Sequence, residues 1–328
     1  MLRYIAKRLL NMIPMLILIS IISFIIIQLP PGSYLHTMMA ELRAAGDQIS
    51  MDQIEALRIH YSLDQPVHIQ YLNWVKGIIT EGNFGFSFEW NRPVKHLIWE
   101  RLALSLVVSV SSLLVSWIVA FPIAILSALK KHTFLDYFLT FVGFLGLSTP
   151  NFMLALILMY ISSVFFGFSV GGLFSPEYLM APWSAAKVVD LLKHLWVPMV
   201  VIGTSGTAGL IRVLRNNLLD ELGKPYVVAA RSKGIGIARL TFKYPVRIAL
   251  IPFISTVGWQ LPQMISGEAV TATVLSLPTA APLLLGALRS QDMYLAGSFL
   301  LLLSSLTMIG TLISDILLVL VDPRIRYE

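Results

Sequence analysis

Leu222–Leu250 reads LGKPYVVAARSKGIGIARLTFKYPVRIAL. It carries Lys224, Arg231, Lys233, Arg239, Lys243 and Arg247, and no acidic residue follows Glu221 within it. Long apolar runs lie on both sides. Pro225 stands where a helix would begin, because the first turn has no use for the N–H that proline lacks. Gly234 stands where that helix would stop, since glycine accepts the left-handed conformation that closes a helix. Ala229 and Ala230 between them permit close approach. The stretch predicts a short basic helix held between two membrane spans. Composition alone weighs a docking helix and a solvated positive loop equally.

The rest of the chain supplies the lipid context. Its 328 residues are 56% hydrophobic and only 13% charged, with mean hydropathy +0.77. Soluble domains carry about 25% charged residues, so the shortfall points to a bilayer as the main solvent. The net charge of +6 does not indicate nucleic acid, because the bases are spaced between apolar runs rather than gathered on one soluble domain. With no cysteine, disulfides, iron–sulfur clusters and thiolate zinc sites are excluded. The histidines show no metal spacing.

Read in order, the sequence predicts an all-α polytopic membrane protein with six transmembrane helices. A basic start (Arg3, Lys7, Arg8) leads into an apolar run from Leu9 to Leu29, about 30 Å as a helix, which matches a hydrocarbon core. It ends in Leu29-Pro30-Pro31-Gly32, too long for a signal peptide and without a small-residue cleavage site. Residues 1–30 are therefore a cytoplasmic start and a retained first span. Residues 31–101 read as a helical cap. Leu35, Met38, Met39 and Leu42 share one face, and Ser50 with Gln53 forms a capping box. Pro66 opens a helix aligning Val67, Tyr71, Trp74, Val75 and Ile78. Gly82-Asn83-Phe84-Gly85 makes a turn, and Pro93 starts a helix feeding into the next span. These apolar faces read as packing faces rather than a ligand box.

Residues 102–321 hold spans two to six. The second runs Leu102–Leu129. The third, Phe134–Phe168, is kinked near Ser148-Thr149-Pro150-Asn151. Ser169–Asp190 is a loop, and His194–Leu219 is the fourth span. The basic stretch lies within a cytoplasmic loop, 220–247. Ile248–Val270 is the fifth span, Ala272–Met293 a proline-rich re-entrant or surface segment, and Leu295–Val321 the sixth. Residues 322–328 form a tail. The positive-inside bias puts both termini and the basic stretch on the cytoplasmic side, with the cap outside.

Little in the sequence carries chemistry of its own. There is no GxxxxGK[ST] loop for nucleotide phosphates, and neither HExxH nor GxSxG occurs. Asp136, Glu268 and Asp315 are the intramembrane carboxylates, which default to a functional hypothesis because charge in lipid is costly. Asp136 and Asp315 lie near span ends and are expected to reach water. Glu268 lies deeper, beside Gly267 and before Pro278. These three residues with Pro150 are the gate or pathway candidates. No carboxylates recur at helical spacing, so an ion-coupled secondary transporter, which would need paired charges and inverted repeats, is the weaker alternative.

YVVAARSKG (Tyr226–Gly234) resembles the EAA loop of ABC-importer permeases. Ala229, Ala230 and Gly234 keep that spacing, while Val228 replaces the usual Glu and the downstream Ile-x-Leu-Pro is not kept. The dipeptide/oligopeptide/nickel subfamily departs in the same way. MLRYIAKRLL, PPG, YSLDQPVHIQYLNWVKGI, GNFGFSF, RPV, STPNF and DPRIRYE are also similar to that subfamily's N-terminal, B-type permease, with Ser62 in place of a usual Gly. The resemblance covers nearly the whole chain.

It implies the type I importer (MetI-like) permease fold, with an extracytoplasmic cap between spans one and two, in a bacterial inner membrane. The implied partners are a second homologous permease, two ABC ATPases that bind the ATP and magnesium, an extracytoplasmic solute-binding protein and the lipid bilayer. No cofactor would be held by this chain. The residues implied to couple to the ATPases are Tyr226, Ala229, Ala230, Arg231, Lys233, Gly234 and Arg239. The cargo implied is peptide. Oligosaccharide is the alternative, since seven tryptophans offer rings for sugars to stack on, although most suit interfacial anchoring.

Overall fold

In a computed structural model of the chain, the described residues are 2–28, 65–87, 89–167, 170–256, 260, 263–265 and 269–321. The Leu35–Leu42 face, the Ser50 capping box, Ser62, Gly267, Glu268 and the tail 322–328 lie outside them. Two compact units form. One is built from described residues within Leu104–Pro278 and Thr307–Glu328, together with those of Met1–Ile5; the other lies within Ala6–Ala103 and Thr279–Leu306.

In the second unit, α1 (Leu2–Gln28) takes up the first apolar run. Pro66, with ψ 144°, opens α2 (Val67–Glu81), and Gly82 closes it at φ 60°. Trp74 of α2 is buried, Tyr71, Val75 and Ile78 are half-buried and Val67 is exposed. The packing face docks on α1. Phe24 stacks on Trp74 at 5.6 Å and meets Tyr71 edge-on at 5.4 Å, and Ser20 Oγ and the Tyr71 hydroxyl share a 2.7 Å hydrogen bond. The all-α expectation misses one feature, a two-residue antiparallel pair of β1 (Phe86–Ser87) and β2 (Arg92–Pro93). It forms because Asn91 turns the chain at φ 48° and because Asp292 grips Ser87. Gly85 precedes it at φ +92°, and a Cβ there would meet the Tyr294 ring at 2.7 Å. α12 (Ala280–Arg289) belongs to this unit as well.

α3 (Val94–Leu129) begins directly after Pro93 and runs for 36 residues, about 54 Å and longer than a bilayer core. α4 (Phe134–Ser148) and α5 (Asn151–Phe166) occupy the predicted third span. The break between them is far sharper than a kink, because the two helices diverge by 98°. Thr149 is extended and Pro150 caps α5 without an N–H to continue the ladder, so the helix restarts in a new direction.

α6 (Ala185–Leu222) spans 38 residues and starts inside the predicted loop, where Ser184 Oγ accepts from the Lys187 N–H at 3.2 Å. One turn further, Asp190 accepts from the Ser175 N–H and hydroxyl, both at 2.7 Å, which ties the preceding loop to the helix. Small residues bring α3 and α6 together. Ser116 Oγ donates to the Gly203 carbonyl at 2.7 Å, and a Cβ on Gly203 would lie 3.1 Å from the Ser112 carbonyl. Close backbone approach with interhelical hydrogen bonds is how helices associate where lipid offers no hydrophobic drive.

Beyond α6 the chain is segmented into α7 (Pro225–Ser232), α8 (Ile237–Lys243), α9 (Pro245–Ala249), α10 (Ile251–Ser255) and α11 (Ala269–Val274). The predicted fifth span is not one continuous helix among the described residues. Pro245 and Pro252 each sit in a helical first turn, where proline starts a helix but cannot continue one. α13 (Met293–Val321) matches the predicted sixth span. Among the described residues, four helices are long and apolar enough to cross a membrane, or five crossings if the bent α4–α5 pair counts as one. The chain is mostly helical, with the several long apolar helices of a multi-pass membrane protein.

Candidate coupling surface

The basic stretch folds as its local chemistry predicts. Pro225 opens α7 after Lys224 at ψ 146°. At its far end the Lys233 N–H donates to the Ala229 carbonyl at 3.3 Å, the Gly234 N–H to that of Arg231 at 2.9 Å, and Gly234 turns at φ +78°. Only Val227 is buried in the helix. Tyr226, Val228, Ala229, Arg231, Lys233 and Gly234 are exposed, and Ala230 is half-buried. The Tyr226 hydroxyl donates to Glu221 Oε2 at 2.7 Å. Partial desolvation of the hydroxyl, and then the Glu221 carboxylate, hold that phenol well above its ordinary pKa, so it stays a neutral donor. α8 turns Leu240 and Thr241 inward and leaves Ile237, Arg239, Phe242 and Lys243 outside. The outer face thus combines cations with uncovered apolar side chains.

Behind this face, Val246, Ala249 and Phe253 of α9 and α10 pack into one core with Leu210, Leu214 and Leu218 of α6 and Ala120, Ala124 and Ala128 of α3. Trp117 of α3 meets the Phe253 ring at 4.8 Å. Close-packed interiors transmit displacement rather than absorbing it, so a displacement of α9 reaches two long helices.

A buried ion pair lies in the same unit. Arg215 of α6 donates to both Asp136 oxygens, at 2.7 and 3.0 Å, and its Nε also meets Ser127 Oγ at 2.9 Å. The Ser127 hydroxyl donates to Asp136, as does the His132 N–H at 3.0 Å. The ends of α3, α4 and α6 are therefore pinned to one carboxylate. Asp136 is 2% exposed, which overturns the expectation that it reaches water. The sequence contains both charges, but nothing local pairs residues 79 apart.

The seven coupling residues named from sequence all lie in the α7–α8 segment. Pro150 sits at the α4–α5 elbow, and Pro278 is half-buried in the turn between α11 and α12. The helices nearest these prolines share one core, in which Ala155 of α5 packs with Ala272, Leu275 and Leu277. Gly267 and Glu268 are outside the described residues. Sequence reasoning missed Asp292, a fully buried carboxylate that accepts from Ser87 Oγ at 2.5 Å, the Leu295 N–H at 3.2 Å and the Glu89 N–H at 3.4 Å.

Comparison with known proteins fits this arrangement. Residues 120–327 match the family described as binding-protein-dependent transport system inner membrane component, and residues 1–110 match its N-terminal membrane component. The chain is 35% identical over 326 residues to the oligopeptide transport system permease protein AppB of Bacillus subtilis (strain 168), covering 99% of each chain. It is 30% identical over 342 residues to the di/tripeptide transport system permease protein DppB of Pseudomonas aeruginosa (strain UCBPP-PA14), covering 100% of each. Against the dipeptide transport system permease protein DppB of Escherichia coli (strain K12), identity is 27% over 344 residues, again covering 100% of each. The chain belongs to the binding-protein-dependent transport system inner membrane component family, the permeases of ABC importers.

Proposed function

We propose that this chain forms half of the translocation pathway of an ATP-driven peptide importer, with α7 as the handle through which partner ATPases move it. The observation that carries the reading is the exposed basic helix Pro225–Ser232, which packs on α8 and through it on α9, a member of the core shared with α3 and α6. The full-length relatives named for peptide transport support peptide as the cargo class over oligosaccharide. In this reading a second permease completes the pathway, two ATPases bind the ATP and magnesium, and a solute-binding protein delivers cargo from outside. Six crossings follow from the apolar runs of the sequence, and an outer cap over residues 31–101 and cytoplasmic termini from the charge asymmetry. The ATPases close on nucleotide, and Tyr226, Ala229, Ala230, Arg231, Lys233, Gly234 and Arg239 receive the motion. Pro150, Gly267, Glu268 and Pro278 are its gate candidates.

Reconstitution of the assembled complex tests this. Peptide delivered by the binding protein should stimulate ATP hydrolysis and uptake. Ala230→Asp should abolish both while the chain still inserts. Transport by this chain alone, or uptake unchanged by Ala230→Asp, overturns the coupling role.

A further inference from the structure

We propose that the cleft between α4 and α6 binds an anionic phospholipid, with its headgroup at the Arg215 end. The cleft holds about 290 Å³ and changes character along its length. One end is lined by His132, Arg215 and Asn216; two helical turns away, Gly143, Phe144 and Ala208 line the other, about 12 Å further along α4. That gradient matches an amphiphile, with a polar head and an apolar chain. Arg212 lies between the two ends, its guanidinium 4.9 Å from the Phe144 ring centre.

Beyond the paired Asp136 and Arg215, the cleft carries net positive charge. The Asp136 carboxylate is consumed by Arg215, Ser127 and the His132 N–H. Arg212 is exposed and meets a ring rather than a carboxylate among the described residues, and Lys130 and Lys131 stand exposed in the adjoining turn. Basic pockets between membrane helices attract acidic lipid headgroups. The apolar end is open because Gly143 has no side chain: a Cβ there would lie 3.7 Å from Ile211 and 3.9 Å from Ala208, in ordinary contact. The cleft also adjoins the outward face of α4, where Phe134, Phe138 and Phe141 are exposed. In a membrane protein that face meets acyl chains, so a lipid enters from the side.

The probes are phosphatidylglycerol and phosphatidylcholine with identical acyl chains, retained on the purified full chain and read by native mass spectrometry. Wild type should retain phosphatidylglycerol about tenfold over phosphatidylcholine. Arg212→Gln should lower phosphatidylglycerol retention at least about threefold, and Arg212→Lys should restore most of it. Gly143→Leu should fill the apolar arm and lower retention of the anionic lipid, while Lys193→Gln, on an early turn of α6, should change nothing. Melting temperatures taken alongside separate lost binding from lost fold. Equal retention of the two lipids, or unchanged retention in a folded Arg212→Gln chain, overturns the proposal. So does release of the lipid when the complex assembles, which would assign the cleft to a partner subunit.

Discussion

Arg215 grips Asp136 through two hydrogen bonds, 2.7 and 3.0 Å long, from near the C-terminal end of one long helix to the first turn of another. Asp136 is nearly inaccessible and the Arg215 side chain is only 21% exposed. A buried pair of this kind resists the loss of one partner more than the loss of both.

Replacing Asp136 with Ala strands the guanidinium and should destabilise the chain by about 3 kcal/mol. Arg215→Met alone strands the carboxylate and should cost a similar amount. The double variant should recover much of the loss. Thermal unfolding in detergent across the mutant cycle measures the coupling, and simple additivity would show that the pair does not act as a unit.

Asp292 makes stability depend on pH. Burial raises its pKa above the ordinary carboxylate value, outweighing the opposing bonds from Ser87, Leu295 and Glu89, and the Glu89 charge adds to the rise. A carboxyl that is raised in the folded state binds its proton more tightly there than when unfolded. Its contribution is therefore most favourable at low pH and declines as pH rises from about 4 through the raised folded value. Asp292→Asn should remove that decline. Melting curves from pH 4 to pH 8 should fall for wild type relative to the variant, and parallel curves would contradict the assignment.

Gly203 sets the spacing of α3 and α6. An added Cβ would sit 3.1 Å from the Ser112 carbonyl and 3.2 Å from Ser116 Oγ. Overpacking of this kind costs roughly 1–3 kcal/mol, so Gly203→Ala should lower the unfolding temperature. Ser116→Ala in the same chain relieves one of the two contacts, and partial recovery should follow.

Gly234 separates two demands on the coupling helix. No atom lies within 4 Å of a Cβ built there, yet its φ is +78°. Within this chain the requirement is conformational, and Asn tolerates that region far better than a β-branched residue. Gly234→Asn should fold like wild type, while Gly234→Val should destabilise the α7–α8 turn by about 1–2 kcal/mol. If Asn also abolishes ATP-driven uptake in the assembled complex, the glycine additionally gives a partner close approach.

Features set by neighbouring residues were legible in the sequence. Pro225 and Gly234 bound α7, Pro66 and Gly82 bound α2, and Pro93 opens α3, because each acts through its own backbone. Partnerships between distant residues were not. Ser87 and Asp292 are 205 positions apart, and no periodicity links them. Pro150 announced a break but not its angle, since the direction of α5 depends on its packing against Ala272 and Leu275. The fifth apolar run read as one span because hydropathy sums over prolines that the backbone cannot ignore.

The 98° elbow also governs parity. With one arm along the membrane normal, the other lies nearly flat within the sheet of lipid, and neither arm of about 23 Å reaches from face to face. Counting the elbow as a passage flips the side on which every later residue emerges. Reporters fused to the two ends consequently interrogate a bend more than a hundred residues from either. Ends found on one face mean that the elbow and the predicted fifth span, Ile248–Val270, both go through or neither does; ends found on opposite faces mean that only one of the two goes through.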